Sequence, residues 1–210
     1  KSKKTNLSSL YNYNSTFKHF LIKTHLNMID KKLIEKTIND QIDKFEDFFN
    51  FTPCFIDSHM HIHQFPLVSN ILIKIYKNRY IKNSYKPWIR NSFISSNQIN
   101  LKTKIISFYG LNFKKKLILN NINTNMDFLG VYNFNHSFKI RHYYQKIFKN
   151  LISKSILMTH PGEYDDNSKD FDEINEFRNK EYYFLKSEIF KKFLKKEKIK
   201  IISLHKILDD

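Results

Sequence analysis

The sequence predicts an α/β protein built from parallel β/α units, and three observations carry that expectation. Apolar residues recur at three- and four-residue steps in segments long enough for helices. Short apolar runs lie between those segments, so strand and helix alternate along the chain. Histidines fall at or near the ends of three of the short runs, where chemistry sits in folds of this kind.

Residues 1–17 are polar and read as an irregular N-terminal segment, followed by a single domain over 18–210. His19 to Met28, HFLIKTHLNM, holds a short apolar strand running into His25-Leu26-Asn27. Asp30 to Phe51 reads as a helix with Asp30 as N-cap, an apolar face of Leu33, Ile34, Ile38, Ile42, Phe45, Phe48 and Phe49, and Thr52-Pro53 as its stop. A strand over Phe55–Pro66 follows, then a helix over Leu67–Tyr80 carrying Val68, Ile71, Leu72, Ile75 and Tyr76 on one side. Pro87 to Arg90 suggests a short strand, and 91–125 has no clear pattern. Phe138 to Ile152 reads as a helix and Ser155 to His160 as a strand ending at Pro161-Gly162. An acidic loop over Glu163–Asp172 leads to a long helix over 173–196 and a closing strand over Ile199–Leu204.

Composition narrows the function classes. The chain has 210 residues, enough for one sizeable core, and 41% hydrophobic and 16% aromatic content argue against wholesale disorder. There is no alanine and there are two valines, while Lys, Asn, Ile, Phe and Tyr dominate, a set with A/T-rich codons. A net charge of +16 ordinarily raises nucleic acid as a partner. Here the lysines are spread along the chain, and runs such as Lys114 to Lys116 read as solvated faces; no nucleic-acid partner is expected. Cys54 is the only cysteine, which rules out an internal disulfide and a thiolate cluster and fits a cytoplasmic compartment. No run of about 18 apolar residues suggests a membrane span.

The stretch FIDSHMHIHQFP, Phe55 to Pro66, is the unusual one. On an extended strand Asp57, His59, His61 and His63 would share one face, with Ile56, Ser58, Met60 and Ile62 on the other. Such a face is either a wet strand surface or a metal site. Alternate residues lie ~6.6 Å apart, so two of these imidazoles can meet one ion, whereas all three span ~13 Å and cannot. At least one must orient a ligand or touch substrate. His19, His136, His142 and His205, each taken alone, read as surface or core residues.

These residues resemble the YdjC-like carbohydrate deacetylases, the family of chitooligosaccharide deacetylases. His25-Leu26-Asn27 looks like the family's HLN element, Thr52-Pro53 through Pro66 like its xPthxDSHxHxHxxP signature, and Leu157 to Gly162 like its E(L/I)MxHPG element. Arg178 to Tyr182 with Leu185 resembles its RxxEYxxL helix, so the resemblance runs from about residue 20 to 205. It implies a distorted β/α barrel that removes the N-acetyl group of amino sugars with a divalent metal, Mg2+ or Zn2+. His25 and His59 match the metal-ligating histidines, and His160 matches the catalytic general acid. Asp57, His61 and His63 are then positioning or substrate-facing residues. The substrate would be a small acetylated amino sugar or chitooligosaccharide; oligomeric state stays open, a homodimer included.

Three departures shape the expectation. Nothing in residues 1–20 matches the family's Asp-Asp-Phe-Gly strand, the gap between His25 and Asp57 is short, and Lys23-Thr24 stands where the family prefers Gly. The barrel is therefore expected to be incomplete at its first strand, with little activity in these 210 residues alone. Asp57, or Asp165 and Asp166 on the acidic loop, are the carboxylates left near the motifs. The alternative is a non-catalytic barrel serving as a sugar- or metal-binding module.

Overall fold

The structure, a computed structural model, describes residues 22–26, 28–95, 101–132, 139–149, 151–163 and 174–203. The irregular segment 1–17, most of the acidic loop with Asp165 and Asp166, and His19, His136 and His205 lie outside the described residues. The fold is α/β and rich in helix, with two small parallel sheets; among the described residues no closed barrel is formed. The chain divides into two compact units, 1–125 and 126–210.

The first unit holds α1 (Lys31–Phe49), β1 (Phe55–Ile56), a 3-10 segment (His59–Gln64), α2 (Pro66–Tyr80), β2 (Trp88–Ile89) and α3 (Leu101–Leu119). Asp30 caps α1 as expected, its side chain accepting from the Lys32 N–H at 2.8 Å. The helix ends before Thr52-Pro53, at Asn50, which turns left-handed (φ 55) and donates to the Glu46 carbonyl. Ile34, Ile38 and Ile42 are the buried stripe. Phe48 and Phe49 are exposed instead, stacking with Phe45 and Phe51 beyond the helix end, so the apolar face is shorter than its spacing suggests.

Pro66 does not end a strand. It opens α2 at the first helical position, where its missing N–H costs nothing. The expected stripe Val68, Ile71, Leu72, Ile75 and Tyr76 is buried against α1. Arg79 ties the two helices together through Asp43 and Glu46, and the Tyr80 hydroxyl donates to Glu46 at 2.8 Å. The segment at 22–25, expected as a strand, is a helical turn, with the Leu26 N–H bonded to the Ile22 carbonyl. The 91–125 region, without a readable pattern, contains α3. There Gly110 lets the helix pass so close to Ser92 and Phe93 that an added Cβ would sit 2.4 Å from their backbone.

β1 and β2 run parallel with Phe55 opposite Trp88 and Ile56 opposite Ile89. Arg90 N–H donates to the Ile56 carbonyl at 3.2 Å and extends the ladder by one rung. On the other side of β2, Ile89 N–H donates to the Asn123 carbonyl, and the Asn125 carboxamide replaces a strand by bonding both the N–H and the carbonyl of Asn91. Buried backbone groups are thus paired without a third strand.

The second unit contains β3 (Asp127–Leu129), α4 (Ile140–Lys149), β4 (Ser155–Leu157), α5 (Asn175–Lys186) and α6 (Glu188–Lys196). β3, absent from the sequence reading, pairs in parallel with β4 from Asp127 opposite Ser155 to Leu129 opposite Leu157. The expected single helix over 173–196 breaks at Ser187, whose extended backbone lets its hydroxyl accept from Phe190 N–H and cap α6. The two halves can then wrap Phe184 and Phe190 around Tyr144 and Phe148. No strand forms over 199–203. Lys154 and Lys198 both turn with positive φ. Among the described residues no helix is long and apolar enough to cross a membrane.

Gly130 ends β3 at φ 95, and a Cβ there would lie 1.9 Å from the Met158 carbonyl oxygen. Gly130→Ala therefore combines left-handed strain with a backbone collision and should cost roughly 2–5 kcal/mol, read as a lowered urea midpoint. A loss below ~1 kcal/mol would show that the backbone yields instead.

Candidate functional site

The histidine stretch does not form the expected strand. The strand stops at Ile56, Ser58 is still extended, and from His59 the chain coils into the 3-10 segment, with Met60 (φ 54) and His61 (φ 60) left-handed. Asp57, His59, His61 and His63 therefore do not share a pleated face. His59 and Met60 are exposed, Ile62 enters the core, and His63 is 3% exposed. Coiling brings Asp57 and His61 to Arg90, and His63 to Ser58 and the Arg90 carbonyl. Two consecutive left-handed residues with side chains cost ~1–2 kcal/mol each, so the surroundings must hold them.

His63 is held on every side. Its Nε2 lies 2.7 Å from the Arg90 carbonyl, which can only accept, so the proton sits on Nε2. Nδ1 then accepts from the Ser58 hydroxyl at 2.7 Å, and the same oxygen accepts the His63 N–H at 3.0 Å. Both ring nitrogens are committed, and the ring packs edge-on against Phe113 at 5.4 Å. Burial, helped by the nearby Arg90 charge, lowers its pKa to about 4, so the ring is neutral at pH 7.

His61 is fixed differently. Its Nδ1 lies 2.7 Å from an Arg90 guanidinium nitrogen and 3.0 Å from the Ser92 hydroxyl. A guanidinium cannot accept, so Nδ1 keeps its lone pair and the proton lies on Nε2. Neither nitrogen of His61 is then a metal donor. Arg90 also pairs with Asp57, whose carboxylate accepts the Ser58 N–H at 2.5 Å. The carboxylate thus acts on the histidines through Arg90.

His25 belongs to the short helical turn and is exposed. Its ring meets Tyr109 of α3 edge-on at 5.4 Å, and its Nε2 is 3.1 Å from the tyrosine hydroxyl. A cleft of about 460 Å³ beside it is lined by Pro66, Leu67, Asn70, Ile71 and Lys74, among others. Lys74 is paired across it with Glu35 at 2.8 Å.

In the second unit β4 ends at Leu157, short of the expected His160, which follows it by three residues and is half-buried. Its main-chain N–H donates to Glu181, a carboxylate with no exposed surface that also accepts from the Tyr144 hydroxyl at 2.7 Å. Burial and then the Glu181 charge push the phenols of Tyr132 and Tyr144 well above their ordinary range. The His160 ring stands edge-on to Tyr132 at 6.2 Å. Gly162 N–H donates to the Arg178 carbonyl at 3.2 Å, so the His-Pro-Gly turn is laid along α5.

A family model described as YdjC-like protein matches residues 1–196, nearly the whole chain. The chain belongs to the YdjC-like family. That family is of carbohydrate-deacetylase type, a class of hydrolase. Its match begins upstream of the motifs, taking in residues 1–20. A comparison with curated proteins found no match.

Within this YdjC-like chain, the two family elements His-Pro-Gly and Arg-x-x-Glu-Tyr are joined by the Glu181 contact to His160. Sequence reasoning noted both elements and missed the contact. A signal existed: Glu181 falls on the stripe of Phe177 and Phe184, a carboxylate where an apolar residue belongs. Arg90 gave no comparable signal, being one cation among 36.

The divalent ion expected from the sequence motifs sets a further test. Among the described residues no group of three or more His, Cys, Asp or Glu side chains could hold one, and open catalytic sites ordinarily supply three protein ligands. With His61 and His63 already committed, the described residues do not by themselves fit a resident ion.

Two outcomes follow from these buried groups. His63 titrates at 6.5 when unfolded and about 4 when folded, so the native state binds fewer protons between those values. Its contribution is fully present above pH 6.5 and lost as pH falls towards 4, up to ~3 kcal/mol. Urea midpoints of the parent should drop through this window, and those of His63→Gln should drop less steeply. Glu181→Ala leaves the Tyr144 hydroxyl and His160 N–H unpaired and should cost roughly 2–5 kcal/mol by thermal unfolding. Glu181→Gln, which keeps an accepting oxygen, should recover part of that loss.

Proposed function

We propose that this chain is a carbohydrate N-deacetylase acting on a small acetylated amino sugar or chitooligosaccharide. The supporting observation is the family match over 1–196, within which the Asp-Ser-His-x-His-x-His and His-Pro-Gly elements occur in order. In this reading the fold is a distorted barrel of the family's kind, working as a cytoplasmic enzyme, alone or as a homodimer. Neither a nucleic acid nor a membrane is a partner.

His160 is the proposed general acid. Amide hydrolysis adds water to the acetyl carbonyl and breaks the C–N bond, and the departing amine must gain a proton. The Glu181 anchor on the His160 main chain supports this role, since it fixes the residue three positions past β4 through its backbone and not through its ring. His25 and His59, both exposed, are the proposed imidazole donors to Mg2+ or Zn2+, with further ligands from outside the described residues. Such an ion would polarise the acetyl carbonyl when bound. Asp57, tied to Arg90, serves as a positioning group here. That same tie favours the second reading, a non-catalytic sugar- or metal-binding module, because it removes Asp57 as a general base.

Acetate release from diacetylchitobiose by the full-length protein separates the readings. Activity should vanish after chelation and return with Mg2+ or Zn2+, and His160→Ala should lower turnover by roughly 10²–10⁴-fold with metal affinity retained. Sugar binding without acetate release would establish the binding module instead.

A further inference from the structure

We propose that Arg90 is the positioning residue of the histidine turn, its guanidinium holding His61 as the Nε2–H tautomer and fixing the left-handed bend that presents His59. This rests on the reading of His59 as a functional side chain.

Arg90 is well placed for the task. Its backbone is pinned to β1 through the Ile56 carbonyl, so its Cα does not wander. Its side chain is 8% exposed and reaches both limbs of the turn. One terminal nitrogen binds the Asp57 carboxylate and approaches the Ser58 carbonyl at 3.3 Å, on the entering limb. The other reaches His61 Nδ1 at 2.7 Å and the Ser92 hydroxyl at 2.9 Å. The two left-handed residues, Met60 and His61, lie between Ser58 and the buried Ile62. A planar fork with donors at fixed spacing spans the two limbs; a lysine ammonium on a flexible stem is a point charge and does not.

The arrangement also provides its own control. His63 binds the main-chain carbonyl of Arg90, which every substitution retains, whereas the guanidinium is what reaches His61. A change confined to the guanidinium should therefore break a hydrogen bond of the His61 ring and leave both hydrogen bonds of the His63 ring in place.

Long-range ¹H–¹⁵N correlation spectra of the histidine rings in the full-length protein test this, together with the backbone carbon shifts of Met60 and His61. In Arg90→Met, His61 should pass from a single Nε2–H form to an exchanging mixture. The Met60 and His61 shifts should leave their left-handed values, and the His63 ring pattern should persist. Arg90→Lys should fail to restore the parent pattern. In the acetate assay kcat should fall ~10–100-fold with little change in KM. Unchanged His61 ring and Met60 shifts in Arg90→Met would overturn the proposal. If His63 also changes there, Asp57→Asn decides, since it leaves Arg90 in place. Disturbance at His61 alone supports the clamp, and none refutes it. The spectra answer whether or not the protein releases acetate, so failure of the deacetylase reading would be seen separately.

Discussion

The register of the two-residue pair β1–β2, with Trp88 opposite Phe55, is the constraint on which the first unit's chemistry depends. It sets Arg90 one rung beyond Ile89, with its N–H on Ile56, its carbonyl on the His63 ring and its side chain on Asp57 and His61. A slip of one residue would turn that side chain to the opposite face and leave His63 without its acceptor. Because the pair is so short, register cannot come from the ladder alone. It is fixed by the groups flanking it: Asn91 and Asn125 on one side, the buried stripe of α2 on another.

The two units bury a titratable group each and satisfy it in opposite ways. In the first, His63 is kept neutral, with one ring nitrogen donating and the other accepting, so its stability contribution comes from hydrogen bonds and packing and not from charge. In the second, Glu181 is an acceptor surrounded by donors: the Tyr144 hydroxyl and the His160 N–H. A buried acceptor with good donors is tolerable, whereas a buried group lacking one partner carries the full desolvation cost. Both devices hold backbone next to histidines that the family motifs single out. Rigidity there comes from polar networks, since the adjoining strands are only two or three residues long.

Much of this was legible in the sequence, and the failures have identifiable causes. Asp30 at the start of α1, the stripe on α2 and the parallel pairing all follow from local chemistry, and all are present. A strand shortly before His160 was legible too, although β4 stops at Leu157 and is not closed off by Pro161-Gly162. The alternation of histidines misled because period two is necessary for a strand and not sufficient. The left-handed turn at Met60 and His61 depends on Arg90, 29 residues from His61, and nothing near the turn announces it. The break at Ser187 was hidden by continuous apolar periodicity on both sides, although a serine in that position is a legible cap. Phe48 and Phe49 carry the right spacing but lie past the point where α1 has a neighbour.

The left-handed residues carry a broader implication. Among the described residues, positive φ falls on Asn50, Met60, His61, Asn121, Lys154 and Lys198, and on a single glycine, Gly130. The chain has only three glycines, and glycine codons are rich in the bases this composition avoids. Tight bends that other proteins assign to the residue without a Cβ are here made by asparagine and lysine, each at a conformational penalty of order 1 kcal/mol. A composition poor in glycine is thereby converted into backbone strain in the folded protein. Scarcity of one residue type thus sets how tightly its side-chain networks must grip.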